Sequence, residues 1–195
     1  MAPAKVQVLA PEAIDVQRIH LTIEGDSPLI THAWSAKAKE MMLNKQMKKG
    51  TQAKEAKDPQ RDYEDSIYRL PDGGCGFPSI GIKACAIRGA KATGMVMSDS
   101  RAAFHIEGDL LRIEGEPRMR EDMVRVGMGT ADIRYRAEFT PWRIALVVTF
   151  NARAISPEQI VTMLDAGGFG TGIGEWRPEK GGQFGRFHVT KGGAL

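Results

Sequence analysis

The stretch RIALVVTFNARAISPEQIVTMLDAGG, residues 143–168, decides the fold of this chain. Residues 143–150 are apolar at alternating positions and largely apolar between them, which predicts a central strand. Ser156 and Gln159 stand at the spacing of an S-x-x-Q capping box, and Pro157 occupies the first helical position between them. A strand followed by a helix with a defined start is therefore predicted.

The helix is expected to end at Gly167 and Gly168, because glycine is typical of the residue that follows a helix. A glycine-rich segment, residues 167–185, begins there, and eight of its 19 residues are glycine. It leads into a strand predicted at 184–190. Strand, capped helix, glycine-rich segment and strand form the second half of a ferredoxin-like β-α-β-β-α-β unit.

The first half of that unit is predicted from segments far upstream. Ile19, Leu21 and Ile23 alternate with polar residues, which indicates a half-buried strand. Residues 81–92 are rich in alanine and glycine, which indicates a closely packed helix. The expected fold class is α+β, a ferredoxin-like antiparallel sheet with helices on one face. The expected plan is one domain over 1–195, with an inserted basic arm at 36–70 and an arginine-rich hairpin or loop at 114–142.

The positive charge of the chain is concentrated in the predicted arm. The formal net charge is +3, and residues 36–61 hold eight basic and three acidic side chains, while residues 62–195 are balanced. A local basic segment on a balanced domain is typical of a surface that binds a polyanion. A solvated lysine-rich helix is an equally open interpretation. Residues 50–61 lack large apolar side chains and predict a loop.

Composition excludes several classes of protein. Hydrophobic residues make up 42% and charged residues 26%, as in ordinary globular domains. Since no run reaches about 18 apolar residues, a transmembrane protein is not expected. The first residues lack the apolar core of a signal peptide, which favours a cytoplasmic location. Cys75 and Cys85 do not form a metal-ligand pattern, so we expect free thiols and no metal or cofactor.

Two motifs resemble those of the RAMP superfamily, the CRISPR-associated RNA-binding proteins. Residues 76–90, GFPSIGIKACAIRGA, resemble its helix start P-G-S-S-L-K-G-A-L-R, with Lys83 and Arg88 at matching positions. Residues 174–189 resemble its C-terminal glycine-rich loop G-x-x-x-x-x-G-F-G-R-V, with Arg186 at the matching arginine. The resemblance implies an RRM/RAMP-type fold. It also implies an arm like the finger insertions of CRISPR backbone subunits, which polymerise along guide RNA.

The chain also resembles proteins that tailed phages encode, which implies a location in the host-cell cytoplasm. With the RAMP motifs, this resemblance and the basic arm favour a non-catalytic protein that binds single-stranded DNA or RNA. Several copies of it are expected to coat one strand as a homo-oligomer. Binding to a membrane is not expected.

The candidate nucleic-acid-binding residues are cations, which neutralise phosphate, and tryptophans, which stack on unpaired bases. They are Trp34, Lys37, Lys45, Lys48, Lys49, Lys83, Arg88, Arg120, Arg125, Arg134, Arg136, Trp176, Arg177, Lys180 and Arg186. Ion pairs within the protein are the open alternative for the arginines. Phe184 is expected to face the core. The dense glycines predict an anion-binding nest, or else only a tight loop.

Two other functions stay open from the sequence. The four histidines are scattered, but His20 and His188 fall on strands predicted to be neighbours, which keeps a metal-independent endoribonuclease of the RAMP type as the alternative. A phage assembly or inhibitor protein that acts through protein contacts is the third reading. The sequence does not choose between RNA and DNA.

Overall fold

The computed structural model describes residues 14–34, 36–47, 56–126 and 129–190. Every strand pair in it is antiparallel, and helices accompany the sheets, so the predicted α+β class is confirmed. Among the helices in these ranges, none has both the length and the apolar run that crossing a membrane requires.

The main sheet follows the ferredoxin-like strand order. Its strands are β1 (Val16–Gly25), β5 (Phe104–Ile106), β6 (Leu110–Glu114), β9 (Arg143–Asn151) and β10 (Phe187–Val189), extended past β6 by β4 (Cys75–Pro78) and β3 (Tyr68–Arg69). In the β-α-β-β-α-β unit, β1 is the first strand, β5 and β6 together are the second, β9 is the third and β10 the fourth. They lie side by side in the order fourth, first, third, second, which matches the unit predicted from the sequence.

Two helices, α3 (Ser79–Gly89) and α5 (Pro157–Gly170), belong to the unit and pack against each other over its core. The alternation in β9 puts its apolar residues on the core side, where Ile144 and Val148 are fully buried. The predicted capping box is present: the Ser156 side chain accepts the N–H of Gln159, whose side chain accepts the N–H of Ser156. The start of α5 is therefore confirmed.

The prediction that α5 ends at Gly167 and Gly168 is wrong, because the helix continues to Gly170. Both glycines are required by close packing instead. A Cβ atom at Gly167 would lie 2.4 Å from the carbonyl oxygen of Cys85 in α3, and one at Gly168 would lie 2.2 Å from that of Phe187. The glycines thus let α5 approach α3 and β10 backbone to backbone.

A second sheet stands beside the first and consists of β2 (Leu29–Thr31), β8 (Thr130–Phe139) and β7 (Pro117–Val126), with β8 in the middle. The hairpin of β7 and β8 occupies the arginine-rich region. Its register places Arg120 opposite Arg136 and Asp122 opposite Arg134, so these four side chains share one face.

The segment that contains the predicted arm holds α1 (Ala36–Gln46) and α2 (Pro59–Asp65), and α4 (Met97–Ala103) precedes β5. Of the loop predicted at 50–61, residues 50–55 lie outside the described ranges. Residues 59–61 are helical rather than loop, because Asp58 caps α2 by accepting the N–H of Arg61 at 3.1 Å. Further on, Ile67 is buried in the core.

Candidate nucleic-acid interface

A groove runs along the exposed side of α3, and we call it the α3 groove. One wall is the row Ile80, Ala84 and Arg88, which recur every fourth residue on one face of the helix. The other wall is the chain from Thr171 to Glu179, and the volume enclosed is about 370 Å³. Apolar side chains, among them the Phe77 ring, contribute to its surface.

One end of the α3 groove holds two arginines that share one carboxylate. Arg88 lies 2.6 Å from Glu179, and Arg177 lies 2.9 Å from the same side chain. Arg177 also donates to the carbonyl of Gly174 at 3.0 Å. Two positive charges against one negative charge leave this end cationic, and the Arg88 side chain is about half exposed.

The other end of the groove joins two distant parts of the chain. His32, which follows β2, lies 3.4 Å from Glu175 in the glycine-rich segment. The contact with His32 lowers the pKa of Glu175, and the charge of Arg136 acts in the same direction. Trp34 and Trp176 are close in sequence to the two partners of this contact, and both are exposed, at 56% and 41%.

A second cleft, of about 460 Å³, lies on the other side of the first turn of α3. Lys83 projects there and lies 3.1 Å from Nδ1 of His105. Burial, with Arg101 nearby, lowers the pKa of Lys83. The first turn of α3 has no acidic residue and no side-chain cap. The N–H of Ser79 donates to the carbonyl of Asp109 at 2.9 Å, and Asp109 also lines the cleft. The positive end of the helix dipole lies at this start of α3.

The glycine-rich segment folds onto itself rather than forming an open nest. The backbone N–H groups of Ile173 and Phe184 donate to carbonyl oxygens within the segment, and that of Glu175 donates to the carbonyl of Ile30 in β2. A Cβ atom at Gly182 would lie 1.8 Å from the carbonyl oxygen of Trp176, and one at Gly185 would lie within 2 Å of that of Ile173. These glycines serve close packing, which was the plainer of the two interpretations of the sequence.

Arg120 of the β7–β8 hairpin is paired within the protein. Arg120 lies 2.9 Å from Asp122 and 2.6 Å from Glu138. Its guanidinium lies 4.7 Å from the centre of the Phe184 ring. Phe184 is only part-buried, and it packs under this arginine rather than in the core. Stacking on a cation accounts for that position.

The remaining hairpin arginines differ from one another. Arg134 lies 2.7 Å from Asp132, while Arg136 is buried, with Nη1 3.9 Å from Asp122. Arg125 is exposed on the opposite face, and among the described residues it has no ion pair. Of the predicted binding arginines in this hairpin, Arg125 is therefore the one without an ion pair to another described residue.

The predicted arm residues are described in part. Trp34 has Lys39 5.6 Å from its ring centre, and Lys45 is exposed in the last turn of α1. Lys37 lies on α1, but its side chain is not among those that the structure describes. Lys48 and Lys49 lie outside the described residues.

Two cations of the C-terminal region complete the predicted set. Lys180 is exposed in the short 3-10 turn Pro178–Lys180, and Arg186 donates from Nε to the carbonyl of Gln183 at 3.2 Å. The structure thus brings Arg88 and Arg177 to one groove, places Trp176 in the segment that forms its wall without lining it, and leaves the hairpin arginines outside the lining.

Sequence reasoning missed three residues of the groove: His32, Tyr68 and Glu175. Tyr68 donates its hydroxyl to the carbonyl of His32 at 3.1 Å. No local pattern marks any of them, because each acquires its role by meeting a residue far away in the chain. The one available signal was the adjacency of Glu175 to Trp176.

The two strand histidines do not form a pair. His188 lies opposite Glu24, four residues along β1 from His20, which separates the two histidines by about 13 Å. His188 instead lies 2.7 Å from Asp26 through Nδ1. Within the described ranges, no group of three or more histidine, cysteine or acidic side chains could hold a metal ion.

No family model and no curated protein matches this chain. Among solved structures, it is similar to the crystal structure of Cmr6 from Pyrococcus furiosus. The TM-score is 0.41 at 9% sequence identity, over 91% of this chain and 100% of that chain. A likeness of this size carries no argument about function, and the fold assignment stands on the strand order.

Proposed function

We propose that this protein binds single-stranded nucleic acid without cleaving it. The observation that carries the proposal is the contact of 3.4 Å between His32 and Glu175. It joins the segment that bears Trp34 to the segment that bears Trp176, at one end of the α3 groove. Two exposed indole faces on segments that contact each other suit the stacking of unpaired bases. A double helix does not offer unpaired bases.

Cations near these tryptophans supply the attraction for phosphate. Lys39 and Lys45 lie on α1 beside Trp34, while Arg177 and Lys180 follow Trp176. Lys83 adds a charge at the start of α3. Since these contacts engage the backbone rather than base edges, most of the affinity is independent of sequence.

Exposed apolar residues on α1 support contact between copies on one strand. Met41, Met42 and Leu43 on α1, and Met47 directly after it, are each 54–60% exposed, although α1 is a helix with room to bury one face. An apolar surface of this kind is typical of an interaction site. In the proposal, α1 of one copy contacts the next copy along the strand. A phage origin and a host-cell cytoplasmic location rest on the sequence resemblance alone.

Tryptophan fluorescence tests the proposal directly. The chain has three tryptophans, and Trp142 is buried at 1% exposure. Adding oligothymidine should quench the emission, and Trp34→Phe and Trp176→Phe should each remove part of the quenching. Trp142→Phe, measured beside a thermal melt, is the matched control and should leave the quenching in place. Binding without quenching, or quenching that survives in the double variant of Trp34 and Trp176, would overturn the stacking account.

The ribonuclease alternative has one observation in its favour. Asp26 lies 2.7 Å from Nδ1 of His188, the arrangement that orients an imidazole for acid–base catalysis. Incubating the protein with RNA and a chelator distinguishes the two functions. The binding proposal expects intact RNA from the wild type and nearly unchanged binding by the His20→Ala, His188→Ala double variant. Specific fragments that disappear with His188→Ala would establish the ribonuclease instead.

A further inference from the structure

The formal charges that line the α3 groove are balanced. Two carboxylates line it, Glu175 at one end and Glu179 at the other, and the guanidinium groups of Arg88 and Arg177 line it as well. The contact with His32 lowers the pKa of Glu175. Burial alone would raise the pKa of Glu179, but Arg177 and Arg88 lower it overall. Both carboxylates are therefore ionised at neutral pH and offset the two arginines, so the groove as a whole attracts a phosphate less than unpaired cations would.

The surface between those carboxylates suits a flat, uncharged ring. A volume of about 370 Å³ is at the small end of the range for small-molecule sites. Gly81 leaves the Phe77 ring open to the groove, since a Cβ atom at position 81 would lie 3.0 Å from that ring. The small side chain of Ala84 leaves space along the α3 wall, and Tyr68 adds a second aromatic side chain. A single nucleobase fits this size and polarity.

The acceptor that such a base would meet is the carboxylate of Glu175, which contacts His32 through one oxygen and whose side chain is 40% exposed. A carboxylate only accepts hydrogen bonds, and it accepts two side by side. Guanine presents two adjacent donors, N1–H and N2–H, on its Watson–Crick edge. Adenine and cytosine turn a ring-nitrogen acceptor toward the carboxylate, and the N3–H of uracil and thymine lies between two carbonyl oxygens. The carboxylate therefore favours guanine.

The phosphates of the same nucleotide have a place outside the groove. Ile80, which is 76% exposed, lines both the α3 groove and the second cleft. Beyond it lies the second cleft, which Lys83 and His105 line together with Asp109. Lys83 supplies a positive charge for a phosphate there. A nucleotide that crosses Ile80 would therefore have its base in the α3 groove and its phosphate beside Lys83.

We infer that the α3 groove binds one unpaired base and that Glu175 selects guanine. This inference rests on the proposed single-strand binding. Phosphate contacts elsewhere then set the general affinity, and this groove sets a preference for strands that contain guanine. Recognition of the Watson–Crick edge is possible only for unpaired bases, which agrees with a single-stranded ligand.

Fluorescence anisotropy with a labelled 12-nucleotide oligothymidine, and with the same strand carrying one central guanine, adenine or cytosine, tests this inference. The wild type should bind the guanine strand roughly tenfold more tightly than the others, as expected for one bidentate base contact. Glu175→Gln should reduce the preference, measured as the ratio of the affinities for the guanine strand and for oligothymidine, to less than about twofold. Ala84→Leu, which fills the groove without changing charge, should also remove it. Ala102→Leu, the same change at an exposed position of α4, is the control.

The outcomes separate this inference from the proposed function. Equal binding of all four strands by the wild type overturns guanine selection and leaves single-strand binding intact. A guanine preference that survives in folded Glu175→Gln and Ala84→Leu also overturns it, because the preference then arises outside the groove. Displacement of the strand by arginine amide but not by guanosine monophosphate would assign the groove to a protein partner. Binding of none of the strands refutes the proposed function itself.

Discussion

Arg88 on α3 and Glu179 in the glycine-rich segment form an ion pair of 2.6 Å that closes one end of the α3 groove. Arg177 binds the same carboxylate, so both arginines are partly neutralised before any ligand arrives. A phosphate near this end must compete with Glu179. If the protein binds nucleic acid as proposed, this carboxylate weakens the binding while it orders the two arginines.

Replacing Glu179 should strengthen binding. In Glu179→Gln both guanidinium groups become available, and we expect roughly twofold to fivefold tighter binding of an oligonucleotide at 50 mM salt, with a steeper salt dependence. Glu114→Gln removes a carboxylate from the face of the sheet opposite the helices and should change little. Anisotropy titrations of the two variants compare them. Equal effects of the two changes would show a general charge effect and contradict a local role for Glu179.

The contact between α3 and α5 should be intolerant of a single added carbon. A Cβ atom at Gly89 would lie 2.1 Å from the carbonyl oxygen of Met163. Gly89→Ala should lower the free energy of unfolding by about 3 kcal/mol, the upper end of ordinary overpacking costs. The melting temperature should fall by roughly 6 to 12 °C. Gly170→Ala, in the last turn of α5 with open space around it, is the control and should be neutral or slightly stabilising. An unchanged melt of Gly89→Ala would contradict the close packing.

The buried thiol should be unreactive in the folded protein. Burial raises the pKa of Cys85 to about 12, and the residue is 2% exposed. Because the thiolate is the nucleophile, iodoacetamide at pH 8 should leave Cys85 unlabelled until denaturant is added. Mass spectrometry of Cys75→Ser before and after unfolding isolates this thiol. Rapid labelling of the native variant would place Cys85 at the surface and contradict the core.

Removing the arm should leave the fold intact and weaken assembly on long strands. We would replace residues 36–55 with a short glycine–serine linker, which removes six lysines and two glutamates and keeps Asp58, the cap of α2. The exposed methionines of α1 predict an unchanged melt. Size-exclusion chromatography with a long oligonucleotide should show loss of the assembled complex. A variant with Lys37, Lys39 and Lys45 changed to glutamine separates charge from contact. If the linker variant assembles on the oligonucleotide like the wild type, the arm is only a solvated helix.

Local signals in the sequence predicted the elements whose determinants are adjacent in the chain. The start of α5 depends on Ser156 and Gln159, three residues apart, and was predictable. The role of Gly167 was not, because glycine at a helix end has the same local pattern whether it ends the helix or meets Cys85 of another helix. The groove was the least predictable part, since His32 and Glu175 are far apart in the chain and meet only in the folded structure.

The most direct measurement of single-strand binding is a titration with labelled single-stranded and double-stranded oligonucleotides of equal length between 50 and 200 mM salt. If three or four phosphates are neutralised, the slope of log affinity against log salt should be about −2 to −3 for single strands. Affinity should then fall roughly 20- to 50-fold across the range, and duplex should bind more weakly than single strand at every salt concentration. Affinity that is flat with salt, or equal for duplex and single strand, would contradict the account and favour a protein that acts through protein contacts.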